Sequence, residues 1–321
     1  MLGFKKGIPI AVVKGGARDG QILRLHSGSI DEENQEIADV MDDDDALSGI
    51  KNILDRLHPS FFDKYKKLKL GDIHAIRKSI QTLTRPEDNE MHAEVYDVAL
   101  ESIKKNLRKE IILPSTSKLR LLPSEEVVER LYVSGQSGSG KSTFVSNWLS
   151  ESRKIWKNRH KKDIFIMSRV QEDAPLDKFK PIRVELNDEI LIEPIEAEDL
   201  EDSVVIFDDI DTIANTRVRK TITMLRDDLL ECGRHYNVRM LCTSHLLLAG
   251  HQTKKMLNEA TTVVVFPRSG QVAQIKRYLS IYCGFEKDVI NKIMNLPSRW
   301  VAVRRLYPSM VIYERGAFVV V

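Results

Sequence analysis

The rhythm of apolar residues changes along this chain, and the changes divide it. Ile10 to Val13 is an unbroken apolar run, and Gln21 to Leu25 alternates apolar with polar. Between them lies Lys14-Gly-Gly-Ala-Arg-Asp-Gly20, a string of turn formers. This pattern predicts a β-hairpin. From Leu47 the period becomes 3.6. Leu47, Ile50, Ile53, Leu54 and Leu57 share one helical face that Pro59 ends. Ile73, Ile76, Ile80 and Leu83 form a second stripe, stopped by Pro86, and Val95, Val98, Ala99, Ile103 and Leu107 a third. Beyond about residue 126 short apolar runs alternate with helical stretches: Leu131–Val133, Ile164–Met167, Val204–Phe207, Met240–Thr243 and Thr262–Phe266. Such runs predict buried strands of a parallel sheet covered on both faces. Trp300–Val303, Met310–Tyr313 and Phe318–Val321 read as antiparallel strands. The expected organisation is a hairpin at 1–30, a linker at 31–46, a basic helical region at 47–125 and an α/β domain at 126–321.

Composition refines this picture. The 321 residues are 42% hydrophobic and 30% charged, which excludes disorder throughout. With 49 basic against 47 acidic residues, the chain is not a polycation. Residues 31–45 nonetheless hold nine acids and no base, leaving +11 for the remainder, and read as a solvated linker. Three cysteines without a CxxC pair exclude a disulfide framework and argue against zinc. No apolar run reaches the ~18 residues needed to span a bilayer, and the first residues lack a signal-peptide core. The expectation is a soluble, intracellular protein with no membrane-spanning segment.

The strongest chemical signal follows the Leu131–Val133 strand. Gly135-Gln136-Ser137-Gly138-Ser139-Gly140-Lys141-Ser142 fits GxxxxGK[ST], and Phe144, Val145, Trp148 and Leu149 then mark one face of a helix. A triphosphate needs several converging N–H donors. Glycines at 135, 138 and 140 let the backbone curl around it, and the helix start adds partial positive charge. Lys141 supplies a point charge to the β- and γ-phosphates, and Ser142 a hydroxyl to Mg²⁺; Thr143 extends the predicted ATP-binding set. The partner acid lies at the end of Val204–Phe207, in Asp208-Asp209-Ile210-Asp211. Parallel sheets place ligands at that edge. Asp208 is the expected Mg²⁺ residue. Asp209, on the other side if the strand continues, would orient or deprotonate the attacking water. Asp211 reads as a helix cap. The strand Ile164–Met167, between the two motifs in sequence, suggests a nucleotidase in which an extra strand separates phosphate loop and metal acid. Thr243, Ser244 and His245 end the next strand and are candidate sensors of the γ-phosphate, with Ser244 the first choice. Arg234 follows Gly233, a helix stop, and is a candidate arginine finger ahead of Arg219 and Arg226.

In that order, the phosphate loop, Ile-Phe-Asp-Asp-Ile, Gly-Arg-His before an apolar strand and a Thr-led polar strand end resemble the packaging ATPases of large DNA viruses. The resemblance is to the poxvirus type within the FtsK–HerA superfamily and covers about residues 126–321. It implies a RecA-like P-loop NTPase core with a mainly parallel sheet and C-terminal antiparallel strands. It also implies a hexameric homo-oligomeric ring that pumps double-stranded DNA, partners among capsid or portal-vertex proteins, residence in the host cytoplasm or virion, and Arg234 acting in trans. Two positions depart from the family: Ser244 stands where glutamine is frequent, and Asp209 where many motors carry glutamate. Arg217, Arg219, Lys220, Lys254, Lys255, Lys276 and Arg277 are candidate contacts to DNA phosphates. The alternatives are an ATPase that remodels proteins and a nucleotide-stabilised scaffold of virion assembly.

Overall fold

The computed structural model describes residues 2–5, 7–25, 110–124, 127–155 and 163–320. The acidic linker and the helical stripes between Leu47 and Leu107 lie outside the described residues.

Among the described residues two sheets carry the fold. The larger has ten strands in the order β4-β14-β13-β12-β11-β6-β10-β9-β7-β8. Its parallel part comprises β6 (Arg130–Ser134), β7 (Ile164–Ser168), β8 (Ile182–Arg183), β9 (Val204–Asp208), β10 (Arg239–Ser244) and β11 (Thr262–Val265). Four antiparallel strands extend it: β12 (Val301–Arg304), β13 (Met310–Tyr313), β14 (Gly316–Val319) and β4 (Glu110–Ile112). This is the RecA-like P-loop NTPase arrangement, with the phosphate-loop strand β6 between β10 and β11. The strand that separates β6 from the metal-acid strand β9 is β10. Ile164–Met167, expected from its sequence position to be the separating strand, forms β7 on the far side of β9. Order along the chain does not set order in a sheet whose helical crossovers let strands insert between earlier ones.

Strand alternation sorts the core into two layers. Tyr132, Val205, Phe207, Met240, Cys242, Val263 and Val265 face one side, where they pack with helices α4 (Thr216–Cys232), α5 (His251–Glu259), α6 (Val272–Ile281) and α7 (Lys287–Met294). Leu131, Val133, Val204, Ile206, Leu241 and Val264 face the other, against Phe144, Val145, Trp148 and Leu149 of α1 (Lys141–Ile155). The short helices α2 (Ala174–Asp177) and α3 (Glu189–Ile192) border the β7–β9 crossover. Burial pushes the Cys242 thiol up to about 12, so it behaves as an inert core group.

The predicted hairpin is present as β2 (Ile8–Lys14) and β3 (Ile22–Leu25), within an antiparallel sheet of order β1-β3-β2-β5. Its outer members are β1 (Leu2–Gly3) and β5 (Lys118–Leu121). The region read as helical through residue 125 therefore ends in two strands. Glu110-Ile-Ile112 pairs with β14, and Lys118-Leu-Arg-Leu121 alternates and pairs with β2. Both are short runs in which cross-strand pairing overrides the weak helical pattern. Gly316 permits the β4–β14 approach, because a Cβ there would stand 2.3 Å from the Ile111 carbonyl oxygen.

The four-stranded sheet is fastened to α1 through one carboxylate. The buried Glu151 accepts from Lys154 at 2.8 Å and Arg120 at 3.1 Å and pairs with Lys14 at 3.2 Å. Burial alone would raise its pKa. Hydrogen bonds from Lys154, Lys14 and Arg120, with the charge of Lys14, reverse that and hold it below the usual glutamate value. Glu151→Ala should destabilise the chain by about 1–3 kcal/mol, read as a lower Tm and faster proteolysis between residues 7 and 25. A depressed folded-state pKa contributes stability that is present above the ordinary glutamate value and lost as pH falls through the folded value. The Tm difference between wild type and Glu151→Ala should therefore be full at neutral pH and shrink below about pH 4.5.

Candidate active site

The phosphate loop runs from the end of β6 into α1. Its entry is fixed by Gly135 N–H, which donates to the Ser244 carbonyl at 3.1 Å, tying the loop to the end of β10. Gly135 has no room for a side chain: a Cβ would lie 2.5 Å from Ser139 Oγ and 2.7 Å from a Phe266 ring carbon. Gly138 and Gly140 take φ of +75° and +104°, a backbone that L-residues rarely adopt. Gln136, Ser137 and Gly138 are exposed along the rim, Ser139 and Gly140 are half-buried, and Ser142 and Thr143 open the first turn of α1. Donors thus ring a concavity at a helix start, the geometry that suits an anion.

Lys141 is buried at the base of this loop. Its Nζ donates to the Gly135 carbonyl at 3.0 Å, contacts His245 Nδ1 at 3.2 Å and lies 3.5 Å from Asp209 Oδ2. His245 Nε2 is in turn 3.1 Å from the same Asp209 oxygen. An ammonium can only donate, so Nδ1 accepts and Nε2–H points at the carboxylate. Lys141, His245 and Asp209 therefore close a triangle. Asp209 Oδ1 is buried without a hydrogen-bond partner. Burial, the largest influence, raises the Asp209 pKa; Lys141 opposes it, Asp208 raises it further, His245 opposes and Asp211 adds to the rise.

Asp208 is the last residue of β9 and shares the face of Val204 and Ile206, the face that carries α1. Ser168 at the end of β7 and Thr243 in β10 have the same parity. Ser168 Oγ donates to Asp208 Oδ2 at 2.9 Å and Thr243 Oγ1 to Oδ1 at 2.7 Å. Thr243 Oγ1 also accepts the Asp209 N–H at 3.1 Å. One hydroxyl thus orients both acids. In the sheet Ser134 is level with Ser244, and Asp208 with Thr243. Phosphate loop and metal acid are two strand spacings apart, roughly 10 Å.

Several expectations shift in detail. β9 ends at Asp208, so alternation does not place Asp209. A left-handed backbone (φ +45°) does, turning its carboxylate towards Lys141; aspartate tolerates that conformation. The helix after the acids is capped by Asn215, whose side chain accepts from Arg217 and Val218 N–H, and not by Asp211. Ser244 has the parity of Cys242 and faces away from α1. Its hydroxyl closes on the backbone of Leu246, donating to the carbonyl at 3.1 Å and accepting the N–H at 3.2 Å. His245, one residue past the strand, is the candidate that reaches Lys141 and Asp209. Arg234 is exposed in the turn before β10, at the opposite edge of the sheet. β10 runs six residues from that edge to Ser244, roughly 17 Å, so Arg234 does not complete its own chain's site.

Ser168 and Gln271 were not singled out in the sequence. Gln271 donates to the His245 carbonyl and accepts from Ser134 Oγ at 3.4 Å, holding the loop after β10 against β6. The polar residues that end β6, β9 and β10 were the available signal for Ser168 at the end of β7; nothing local marked Gln271.

On the other face, α4, α5 and the ends of β9 and β10 enclose a cavity of about 660 Å³, with Arg217, Arg219, Lys220 and Arg226 along one wall. Arg226 is held by Asp227 and Arg219 by the Ile213 carbonyl, whereas Arg217 and Lys220 are exposed.

The donor set fits a magnesium nucleotide. A glycine cradle lies beside a buried lysine, an oriented carboxylate, Asp208, ends β9, and a hydroxyl residue, Ser142, opens α1. Among the described residues no group of three or more His, Cys, Asp or Glu forms a metal cage. Mg²⁺ needs none when phosphates and water supply most of its ligands.

No protein-family model matches the chain. Over 213 residues it is 34% identical to protein V3 of Sputnik virophage, described as uncharacterized, covering 65% of this chain and 84% of the relative. Among solved structures it is similar to B204, the DNA-packaging ATPase of Sulfolobus turreted icosahedral virus, at 16% identity and TM-score 0.40, covering 59% of this chain and 98% of that one. The genome-packaging NTPase B204 of Sulfolobus turreted icosahedral virus 2 in complex with AMPPCP matches at 13% and 0.37, over 55% and 92%. The conjugation coupling protein TcpA of pCW3 with ATPγS matches at 10% and 0.41, over 64% and 66%.

The cradle makes a direct prediction. Gly135→Ala forces its Cβ onto Ser139 and Phe266, an overpacking that costs about 1–3 kcal/mol. The variant should fold, with ATP binding by calorimetry weakened at least about tenfold. Unchanged affinity would contradict the cradle.

Proposed function

Because the chain belongs to the family of the Sputnik virophage protein V3, and its sheet edge joins a phosphate cradle to two oriented acids, we propose that it is a viral ATPase whose turnover drives double-stranded DNA into a capsid. The observation that carries the enzymatic part is the convergence of Lys141, Asp208 and Asp209 at the carboxyl edge of β6, β9 and β10. The viral setting is supported by the virophage relative, and the packaging role by the resemblance of the Asp208-Asp209 and Gly233-Arg234-His235 elements to packaging motors.

In this reading the N–H groups of Gly138, Gly140, Lys141 and Ser142 bind the phosphates. Lys141 exchanges its contact with the Gly135 carbonyl for the terminal phosphoryl oxygens. Ser142 and Asp208 would hold Mg²⁺, which when bound neutralises charge on the phosphates. Thr243 and Ser168 keep the Asp208 carboxylate aimed. Asp209, raised in pKa by burial and with one oxygen unpartnered, accepts a proton from the attacking water or orients it. His245 holds the other oxygen and, through Lys141, links that acid to the phosphate; we assign the sensor role to His245 in place of Ser244. Arg234, on the far edge, would act on a neighbouring copy, which is the basis for proposing a ring, of six subunits in the resembling family. Arg217 and Lys220 head the candidates for DNA-phosphate contact. Capsid or portal-vertex proteins are the proposed partners and the host cytoplasm the proposed site of action.

The test is ATP turnover by the full chain with and without duplex DNA. Lys141→Ala and Asp208→Asn should each reduce turnover at least about 100-fold. Duplex should stimulate wild type at low salt, with stimulation fading steeply as salt rises. Stimulation by unfolded protein but not by duplex would favour a remodelling ATPase and contradict DNA translocation. Arg234→Ala should spare ATP binding and cost about 10³-fold in turnover. Mixing it with Asp209→Asn should restore part of the activity; no restoration would exclude a finger in trans.

A further inference from the structure

The small N-terminal sheet lies outside the stretch that resembles packaging motors, yet it walls a cavity that opens on the phosphate loop. This cavity has a volume of about 400 Å³, within the size range of small-molecule sites, about 300–1,000 Å³. Its floor is Gly140 and Thr143 at the start of α1. Its apolar side is Phe266, after β11, and Trp300, before β12; the Trp300 ring meets Phe144 edge-on at 5.0 Å. Its outer wall is Thr116 and Lys118 from the β4–β5 turn and β5.

That wall is built to stay in place. Ser117 Oγ donates to the Gly15 carbonyl at 2.8 Å, locking the β2–β3 turn against the β4–β5 turn. Gly16 allows the contact, since a Cβ there would come within 2.3 Å of Ser117 Oγ. Leu119 N–H donates to the Glu314 carbonyl at 2.6 Å. The Glu314 carboxylate pairs with Lys118 at 3.8 Å and accepts the Arg299 N–H at 2.8 Å, joining β5 to the residue before Trp300. Lys14 and Arg120 are engaged by Glu151. The cations of the wall are thus largely matched by carboxylates, which suits a neutral, hydrogen-bonding ligand with an aromatic face better than a further polyanion.

We infer that this cavity receives the base and sugar of the nucleotide, so that the N-terminal sheet is part of the nucleotide site. The inference rests on the phosphate-loop reading. A nucleotide with its phosphates cradled by Gly135–Ser142 leaves its nucleoside beyond one end of the loop, and the cavity beside Gly140 and Thr143 is lined to take it. Trp300 offers the base a stacking face, and the polar groups of the β4–β5 turn offer hydrogen bonds to the sugar.

Inorganic tripolyphosphate separates the two claims, because it has the phosphates and lacks the nucleoside. Calorimetric titration of the full chain with ATP and with tripolyphosphate, both with Mg²⁺, should give affinities for wild type that Lys141→Ala abolishes. Trp300→Ala should weaken ATP about tenfold and leave tripolyphosphate within about twofold. Thr116→Trp, which plugs the cavity from an exposed turn, should do the same while preserving Tm. If ATP affinity is unchanged in both variants, or the two ligands weaken together in Thr116→Trp, the nucleoside assignment is wrong while the phosphate loop stands. If wild type binds neither ligand, or Lys141→Ala binds both as wild type does, the phosphate-loop reading fails and takes this inference with it.

Discussion

Everything at the site depends on strand parity at one sheet edge. Alternate side chains of a strand point to opposite faces. At the carboxyl ends of β7, β9 and β10 this sends Ser168, Asp208 and Thr243 to the face that carries α1. Three neighbouring strands in parallel register therefore deliver two hydroxyls to one carboxylate. Thr243 then reaches one residue further and binds the Asp209 N–H, fixing the left-handed turn that returns that acid to Lys141. A shift of one residue in β9 would move Asp208 to the opposite face and dissolve the arrangement.

The electrostatics follow from this packing. Lys141 and Asp208 are both buried, and buried charges are costly unless partnered. The chain supplies partners: a carbonyl, an imidazole and Asp209 for the lysine, two hydroxyls for Asp208. Asp209 is the less satisfied of the two acids, with one buried oxygen unpartnered and a pKa raised chiefly by burial. A carboxylate in that condition has basicity to use, whereas Asp208 is oriented by both oxygens. The contrast between the adjacent aspartates thus arises from environment and not from residue type.

Contiguous features were legible in the sequence, and features assembled across strands were not. The phosphate loop, the strand before it and the apolar stripe after it are one continuous segment, so GxxxxGK[ST] and its periodicities located them. Asp208 was legible because four apolar residues lead to it. The choice among Thr243, Ser244 and His245 was not, because it depends on which face of the sheet each residue of β10 takes and on its register with β9, both non-local. For the same reason Ile164–Met167 was misplaced between the motifs, whereas Arg234 was legible at the entrance to β10 because the turn and the strand are contiguous. The strands at 110–112 and 118–121 were hidden because their partners, β14 and β2, lie on either side of them in sequence and more than 100 residues away from each. Gln271 acts through a partner 26 residues distant, which no local pattern reports, and the strand-end position of Ser168 does not reveal its partner 40 residues away.

The central claim is that this edge binds a nucleotide through a divalent cation held by Asp208. It is tested most directly by titrating ATP into the wild-type chain and Asp208→Asn, each with Mg²⁺ and with excess chelator. The account predicts about one ATP per wild-type chain, bound at least about tenfold tighter with Mg²⁺, and an Asp208→Asn variant of unchanged Tm in which that Mg²⁺ dependence is lost. Mg²⁺-dependent binding that survives intact in Asp208→Asn would contradict it.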